Sequence, residues 1–279
     1  MITIRPYGGL GNRLRAIDSV VAFHQKPNEP VRILWNRNKA LNCRFGDLFI
    51  IPEFFDVAEN QTIIPPWISQ HYTKYINPGL LKIRSRYFAG YEKIYFEKEL
   101  RLLKKNNYDF RILNTFKSVY IESQNRFFSN GKKYWYLKPV SEVDSIVSDI
   151  TCTFGKKMVG IHIRRTDNLR AIHASPLEAF ISVMKEKIRE DSETQFFLAT
   201  DNKSVEKDLR QKFRNRIISY ESKCLERNSS RGIKDALIDM LCLSKTKEIV
   251  GSYWSSFSEV SAELGNDKLF VVNSPCRNV

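Results

Sequence analysis

The chain has 279 residues, 42% of them hydrophobic and 12% aromatic, which is enough to pack one large domain or two small ones and too much for wholesale disorder. Its formal charge of +14 favours polyanionic partners such as nucleotide phosphates, nucleic acid, anionic lipid headgroups or acidic glycans without choosing among them, and a merely basic background is the other reading. The five cysteines, Cys43, Cys152, Cys224, Cys242 and Cys276, are odd in number and form no CxxC pair, which argues against a disulfide framework and suits a reducing compartment.

The first element reads strand, loop, helix. Ile2 and Ile4 begin a strand, Gly8-Gly9-Leu10-Gly11 is a loop, and Asn12 to Phe23 is helical with Leu14, Ile17, Val20 and Val21 on one face. This opening is not a charged region followed by a long apolar stretch, so no signal peptide is expected. No run approaches the roughly 20 apolar residues that span a bilayer. A cytoplasmic location is the expectation. Val31 to Trp35 is a second strand, and Leu48 to Phe55 is a short apolar segment. Pro65, Pro66 and Pro78 make the stretch from Asn60 to Leu81 loop-rich. Glu97 to Lys105 reads as a helix and Val119 to Ser123 as a strand.

From residue 137 the rhythm changes. Ser141 to Ile150 is a helix with Ser141 as its expected cap. Strands then alternate with helices: Met158 to Ile163, Leu177 to Ile188, Phe196 to Thr200, Ser204 to Lys212, Ile217 to Tyr220, Lys234 to Ser244, Glu248 to Gly251, Ser256 to Leu264 and Leu269 to Val272. Such alternation predicts parallel βαβ units in a doubly wound half. The expected domains are 1–136 and 137–279.

Five segments carry candidate chemistry. Val159-Gly160-Ile161-His162-Ile163-Arg164-Arg165-Thr166-Asp167 is a buried strand whose carboxyl end bears His, Arg, Arg and Asp. Ligands of doubly wound sheets bind beyond those ends. Alternation puts His162 and Arg164 on one face and Arg165 nearer the other. An arginine fork gives a diphosphate two parallel charge-assisted hydrogen bonds. An Arg–Asp ion pair within a loop is the competing reading. Phe196 to Asn202 again ends an apolar strand in polar residues; Asp201 either holds an arginine or a ribose hydroxyl, or caps the next helix. Asp239 lies among apolar residues at helical spacing, where a carboxylate needs a partner unless it faces solvent. The two N–H donors of a guanine edge match such a carboxylate. Gly251 to Ser258 turns from strand to helix through serines, which suits an anion or an ordinary cap. Tyr7 to Leu14 has glycines that let backbone approach a ligand. Its GGLGNR lacks the third glycine of a dinucleotide fingerprint, and no acid clearly ends the second strand, so a NAD site is rejected. There is no Walker A sequence, no Asp-x-Asp pair and no His or Cys at metal-ligand spacing, so neither a metal nor another cofactor is expected. No basic–aromatic nucleic-acid module is present.

Together these segments resemble the fucosyltransferase superfamily, which holds α-1,6- and α-1,2-fucosyltransferases and protein O-fucosyltransferases. His162-Ile163-Arg164-Arg165-Thr166-Asp167 resembles the HxRRxD motif, and Leu198-Ala199-Thr200-Asp201 the LATD segment of the α-1,6 branch. Asp239 followed by Leu243-Ser244, and Ser255-Ser256-Phe257-Ser258, resemble that branch's Asp-x-x-x-Leu-Ser helix and Ser-Ser loop. Gly8 to Asn12 resembles the GGLGNQ opening of the α-1,2 branch, and Tyr120 to Ser123 is faintly similar to a segment before the donor domain.

The resemblance implies an α/β, GT-B-like fold with two Rossmann-like domains facing a cleft, the amino-terminal one for acceptor and the carboxyl-terminal one for donor. It implies inverting, metal-independent transfer of fucose from GDP-fucose to a glycan. His162 and Asp239 would contact guanine, Arg164 the β-phosphate with Arg165 in support, and Ser255 and Ser256 further phosphate oxygens. Gly11 and Asn12 would face the diphosphate across the cleft, and Asp201 would belong to the donor site. Asn168 and Leu169 to Ile172 stand where the α-1,6 branch has a lysine and a glutamate base, so Asp167 or an acid of the amino-terminal half takes the proton, or a dissociative path needs little base. Another donor such as UDP-xylose would keep the arginine without the guanine contacts. A non-catalytic protein binding nucleic acid or another polyanion is the competing class; it explains the charge and leaves the strand-end arginines unexplained.

Overall fold

A computed structural model describes residues 1–59, 90–166, 169–265 and 268–273. The whole of the stretch expected to be loop-rich, Asn60 to Leu81, and Asp167 and Asn168 lie outside these residues. The chain divides into two compact units, one of residues 1–138 with 227–230, the other of 139–226 with 231–279.

The first unit is built on β1 (Ile2–Pro6), β2 (Val31–Trp35), β3 (Phe49–Ile50), β4 (Phe55–Glu59), β5 (Lys93–Phe96) and β6 (Val119–Ser123), with α1 (Leu10–Phe23) and α2 (Glu97–Lys105). Five strands form a parallel sheet in the order β4-β2-β1-β6-β5. Ile2 stands between Val31 and Val119, and Ile4 between Ile33 and Ile121. These residues, with Leu14, Ile17 and Phe23 of α1, are withdrawn from water. That burial is the main force holding helix to sheet. Phe23 packs on Phe110, Phe127 and Phe128 at ring distances of 6.5, 6.3 and 6.1 Å. Asn42 N–H donates to the Arg227 carbonyl at 3.1 Å, tying the 227–230 segment to this unit.

The short strand β7 (Lys138–Pro139) falls across the boundary of the units in sequence. The second unit is built on α3 (Ser141–Thr151), β8 (Met158–Ile163), α4 (Leu169–Ala174), α5 (Leu177–Glu190), β9 (Gln195–Thr200), α6 (Lys203–Phe213), β10 (Ile217–Ile218), α7 (Ser230–Ser244), β11 (Ile249–Ser252), α8 (Ser256–Leu264) and β12 (Leu269–Val272). Its parallel sheet runs β10-β9-β8-β11-β12. All six residues of β8 are buried, as a central parallel strand covered on both faces requires. Ile161 and Ile163 pack with Phe180, Met184, Leu209 and Phe213 on the side of α5 and α6. A Cβ on Gly160 would lie 2.9 Å from Leu243 Cδ2, so the other face meets α7. From β8 the chain winds outward through β9 and β10, then returns through α7 to lay β11 on the opposite side of β8. The β8–β11 junction is therefore a topological switch point, the place beyond the carboxyl ends where open α/β sheets bind ligands.

Several local expectations need correction. Ser141 does not cap α3: it is the first helical residue, and Val140 takes the cap position without a side-chain bond. Glu142 and Asp144 in the first turn complement the helix dipole instead. The helix of the first glycine segment starts at Leu10, so Gly11 is helical and not in the loop. β10 covers only Ile217–Ile218, and α7 begins four residues earlier than its apolar pattern suggests. β5 and α4 are additional elements.

Candidate functional site

The end of β8 points its side chains to opposite faces. His162 lies against α8, with Nδ1 2.7 Å from Ser258 Oγ and its ring stacked on Phe257 at 4.6 Å and 23°. Arg165 turns to the α5 side. Its guanidinium donates to the carbonyls of Arg164 at 3.2 Å and Ser175 at 2.7 Å and sits 5.9 Å from the Phe180 ring centre. Burial lowers its pKa, offset by the nearby charges of Asp201 and Glu178.

Between them, Arg164 is half-buried and its backbone is fixed. Its N–H donates to Ser252 Oγ at 3.0 Å, and that hydroxyl reaches the His162 carbonyl at 3.4 Å. The next two residues hang on Asp201. Its Oδ1 accepts from Arg165 N–H at 2.7 Å, and Oδ2 from the Thr166 hydroxyl at 2.6 Å and N–H at 3.4 Å. Asp201 thus clamps the loop that carries Arg164. It does not cap α6; Asn202 does, accepting from Ser204 N–H and Val205 N–H at 2.9 and 3.1 Å. The strand β9 ends beside β8, so a clamp needs an acid at this position and an Asn one residue on for the helix.

Asp239 is buried on α7 and accepts from Lys223 Nζ at 3.1 Å through Oδ2, while Oδ1 has no hydrogen-bond partner. Burial pushes its carboxyl up to about 6 against the pull of the Lys223 ammonium. Its height in the fold follows from geometry. Leu243 is level with Gly160, and α7 runs against the strands. One turn back along α7 is about 6 Å, and two residues on along β8 is about 6.6 Å. Asp239 therefore stands at the level of His162.

β11 turns into α8 through Trp254, a non-glycine residue at φ 54°. Such left-handed backbone costs about 1–3 kcal/mol and gathers at ligand sites. Ser255 follows at the N-cap. It is buried, yet it caps no amide and its Oγ has no partner. Ser256 opens the helix, whose first-turn N–H groups and positive dipole end favour an anion. Tyr253 N–H donates to Ser175 Oγ at 2.8 Å, and the Ser175 hydroxyl donates to the Val272 carbonyl, which pins this turn to the sheet.

Thus His162, Arg164, Arg165, Asp201, Asp239, Ser255 and Ser256 all lie in the second unit, around the carboxyl ends of β8, β9 and β11. Asp167 lies outside the described residues. Gly11 and Asn12 belong to the first unit, where α1 opens after β1. Gly8 is at φ +82°, and a Cβ there would come within 2.8 Å of Asn12 Nδ2, so only glycine lets the loop close over Asn12. Asn12 Oδ1 accepts from the Arg15 guanidinium at 3.0 Å, and Arg15 also donates to Asn125 Oδ1 at 3.2 Å. Asn125 in turn donates to Glu97 Oε1 at 2.6 Å. Burial raises the proton affinity of Glu97, but hydrogen bonds from Asn125, Ser123, Arg101 and Gln124 outweigh it and hold the carboxyl below its ordinary value.

Sequence reasoning missed Arg13, Ser175 and Lys223. Arg13 is fully buried, donates to the carbonyls of Gly8 at 3.0 Å and Asn36 at 2.8 Å, and lies 4.8 Å from the Trp35 ring centre. Burial, then Arg5, pulls its guanidinium down to about 10. It fixes the glycine loop from beneath. Only its place directly after the GGLGN run hints at this.

No protein-family model matches the chain, and no curated sequence matches it. Solved structures do. NodZ, a fucosyltransferase from Bradyrhizobium, aligns with a TM-score of 0.61 at 17% identity over 95% of this chain and 93% of its own. A mutant FUT1 of Arabidopsis thaliana in complex with GDP aligns at 0.58 and 14%, covering 99% of this chain and 70% of its own. POFUT1 in complex with GDP aligns at 0.53 and 12%, over 97% and 98%. The chain therefore has the α/β, GT-B-like fold of the fucosyltransferases.

Proposed function

We propose that the protein is a metal-independent, inverting glycosyltransferase that moves fucose from GDP-fucose to a glycan acceptor. One observation supports this most: Arg164 is held at the β8–β11 switch point, and the same unit carries two buried atoms that lack partners, Ser255 Oγ and Asp239 Oδ1. A nucleoside diphosphate supplies what each lacks. Its phosphate oxygens accept from Ser255, Ser256 and Arg164. The N–H groups of guanine donate to Asp239, beside His162. NodZ solved with GDP-fucose has the same fold.

In the proposed reaction an acceptor hydroxyl attacks the anomeric carbon on the face opposite the diphosphate. The bond from that carbon to the β-phosphate oxygen breaks, and GDP leaves with the electron pair. Charge builds on the phosphate as the bond stretches, and fixed donors aimed at it lower the barrier. Arg164 is the principal donor, and Arg165 supports it through the loop. In this reading residues 137–279 bind the donor and residues 1–136 the acceptor, with Gly11 and Asn12 facing the diphosphate. Asp167, three residues after Arg164, is our assignment for the hydroxyl proton.

Incubation with a glycan library and either GDP-fucose or UDP-xylose in EDTA, read by mass spectrometry, tests this. Deoxyhexose transfer from GDP-fucose is expected. Transfer from UDP-xylose alone would overturn the donor assignment, and transfer that stops in EDTA would overturn metal independence. Salt-sensitive oligonucleotide binding with no turnover of either donor would replace the enzyme reading.

A further inference from the structure

Lys223 is the buried cation that the proposed chemistry leaves unused. It lies between β10 and α7, is 7% exposed, and donates to Asp239 Oδ2 at 3.1 Å. Burying an ammonium and a carboxylate together gains little stability, because desolvation cancels most of their attraction. Asp239 keeps Oδ1 unpartnered in the same buried place. The pair is therefore a poor structural device and an incomplete hydrogen-bonding set.

The missing half can be read from its order. Along the pair run an open acceptor, Oδ1, an acceptor with capacity to spare, Oδ2, and a donor, Nζ. A carboxylate oxygen has two lone pairs, so Oδ2 can accept from Lys223 and from a ligand at once. The complement is donor, donor, acceptor in a row. The Watson–Crick edge of guanine has that order: the 2-amino group, N1–H and O6. Uracil presents acceptor, donor, acceptor, and cytosine acceptor, acceptor, donor; both would set a carbonyl against a carboxylate oxygen. Adenine lacks the second donor. Lys223 also lines a cavity of about 580 Å³ with Lys203, Glu206, Lys207, Arg210 and Glu221, so open space reaches the lysine.

We propose that Lys223 is a base-specificity residue whose ammonium donates to O6 of the guanine while Asp239 accepts from N1–H and the 2-amino group. This rests on the guanine reading of the donor site. It adds a positive reason for rejecting pyrimidine donors, because a buried site built for one pattern leaves polar groups unpaired with the wrong one.

The test compares GDP with 6-thio-GDP, whose sulfur is a weak acceptor at position 6. Calorimetry is run on the wild type, Lys223→Met and Lys223→Gln, with UDP as a control and thermal melting as a check of folding. The wild type should bind GDP about tenfold more tightly than the thio analogue, the size expected of one hydrogen bond to a charged group. Lys223→Met should bind the two alike, and Lys223→Gln, which keeps an N–H donor, should retain part of the preference. If the Met variant fails to fold, the Gln variant alone carries the comparison. Undiminished preference for GDP over its thio analogue in the variants would overturn the role of Lys223 and leave the guanine reading standing. A wild type that binds UDP as tightly as GDP would instead overturn the guanine reading itself.

Discussion

Asp239 is a carboxylate kept from water beside a single cation, and its protonation has two opposite consequences. Its pKa of about 6 in the folded protein stands above the ordinary value of 3.8. Between these values the native state binds the proton more tightly than the unfolded chain does. Stability from this group is therefore gained as pH falls from about 6 towards 4 and lost as pH rises through that window. Urea denaturation from pH 4 to pH 8 should show the wild type losing ground against Asp239→Asn as pH rises. Donor binding should run the other way, because guanine needs the ionised carboxylate. Affinity for GDP-fucose should fall below pH 6 in the wild type and stay flat in Asp239→Asn. A flat wild-type profile would remove Asp239 from the base site. Asp201 acts through the loop it clamps. Asp201→Ala should cost about 1–2 kcal/mol in chemical denaturation, since the loop is partly exposed, and should weaken GDP binding because Arg164 is no longer fixed. Unchanged GDP affinity would mean the clamp does not position Arg164. At this scale His162, Arg164, Asp201, Asp239 and the serines stood out because polar residues at the ends of apolar strands and helices are conspicuous. Lys223 did not. It is one lysine in an aperiodic stretch, and its partner is 16 residues away, on the next helix.

Among the elements, the contact of α8 with β11 holds the site together. A Cβ on Gly251 would lie 2.5 Å from Ser258 Oγ and 2.6 Å from Ser258 Cβ. Gly251→Ala must push α8 outward and strain the Ser258 bond to His162. Overpacking of this kind costs about 1–3 kcal/mol. Denaturation should show that loss, and GDP should stabilise the variant less than the wild type. Full retention of both would mean that α8 shifts freely. Glu97→Ala tests the other unit, where the carboxylate serves as acceptor for the 123–125 turn. Several buried or half-buried donors lose their acceptor, so a cost of about 2–4 kcal/mol is expected in the same measurement. The elements that read well from sequence, β2, α2, β8 and α8, have clear periodicity or a cap-like start. β5 did not, because Lys93–Phe96 is a short sheet-edge strand without alternation, defined by its pairing with β6. α4 has only six residues, too few for a helical period to show in the sequence. α7 was read short because its first residues, Ser230, Arg231 and Gly232, carry no apolar signal. Gly232 is there for space: a Cβ would meet the Glu226 carbonyl at 2.0 Å.

Over the whole molecule, two parallel sheets share one logic, with polar loops at the carboxyl ends of strands whose interiors are apolar. The alternation of the second half made its winding legible. The first half was harder to read because its sheet draws on strands spread from residue 2 to residue 123, with long intervals between them. The +14 charge fits any polyanion, and on its own would leave a nucleic-acid binder in contention. The placement of Arg164 at the switch point is what separates the two readings, since it asks for one bound anion and not a charged stripe. The most direct test is a thermal-shift comparison of GDP, UDP, CDP and ADP in EDTA on the wild type and Arg164→Ala. GDP at about 100 times its dissociation constant should add about 2.7 kcal/mol of stability to the wild type. That gain should vanish in Arg164→Ala, and the other nucleotides should give little. Equal stabilisation of the variant, or no response of the wild type to GDP, would contradict the account.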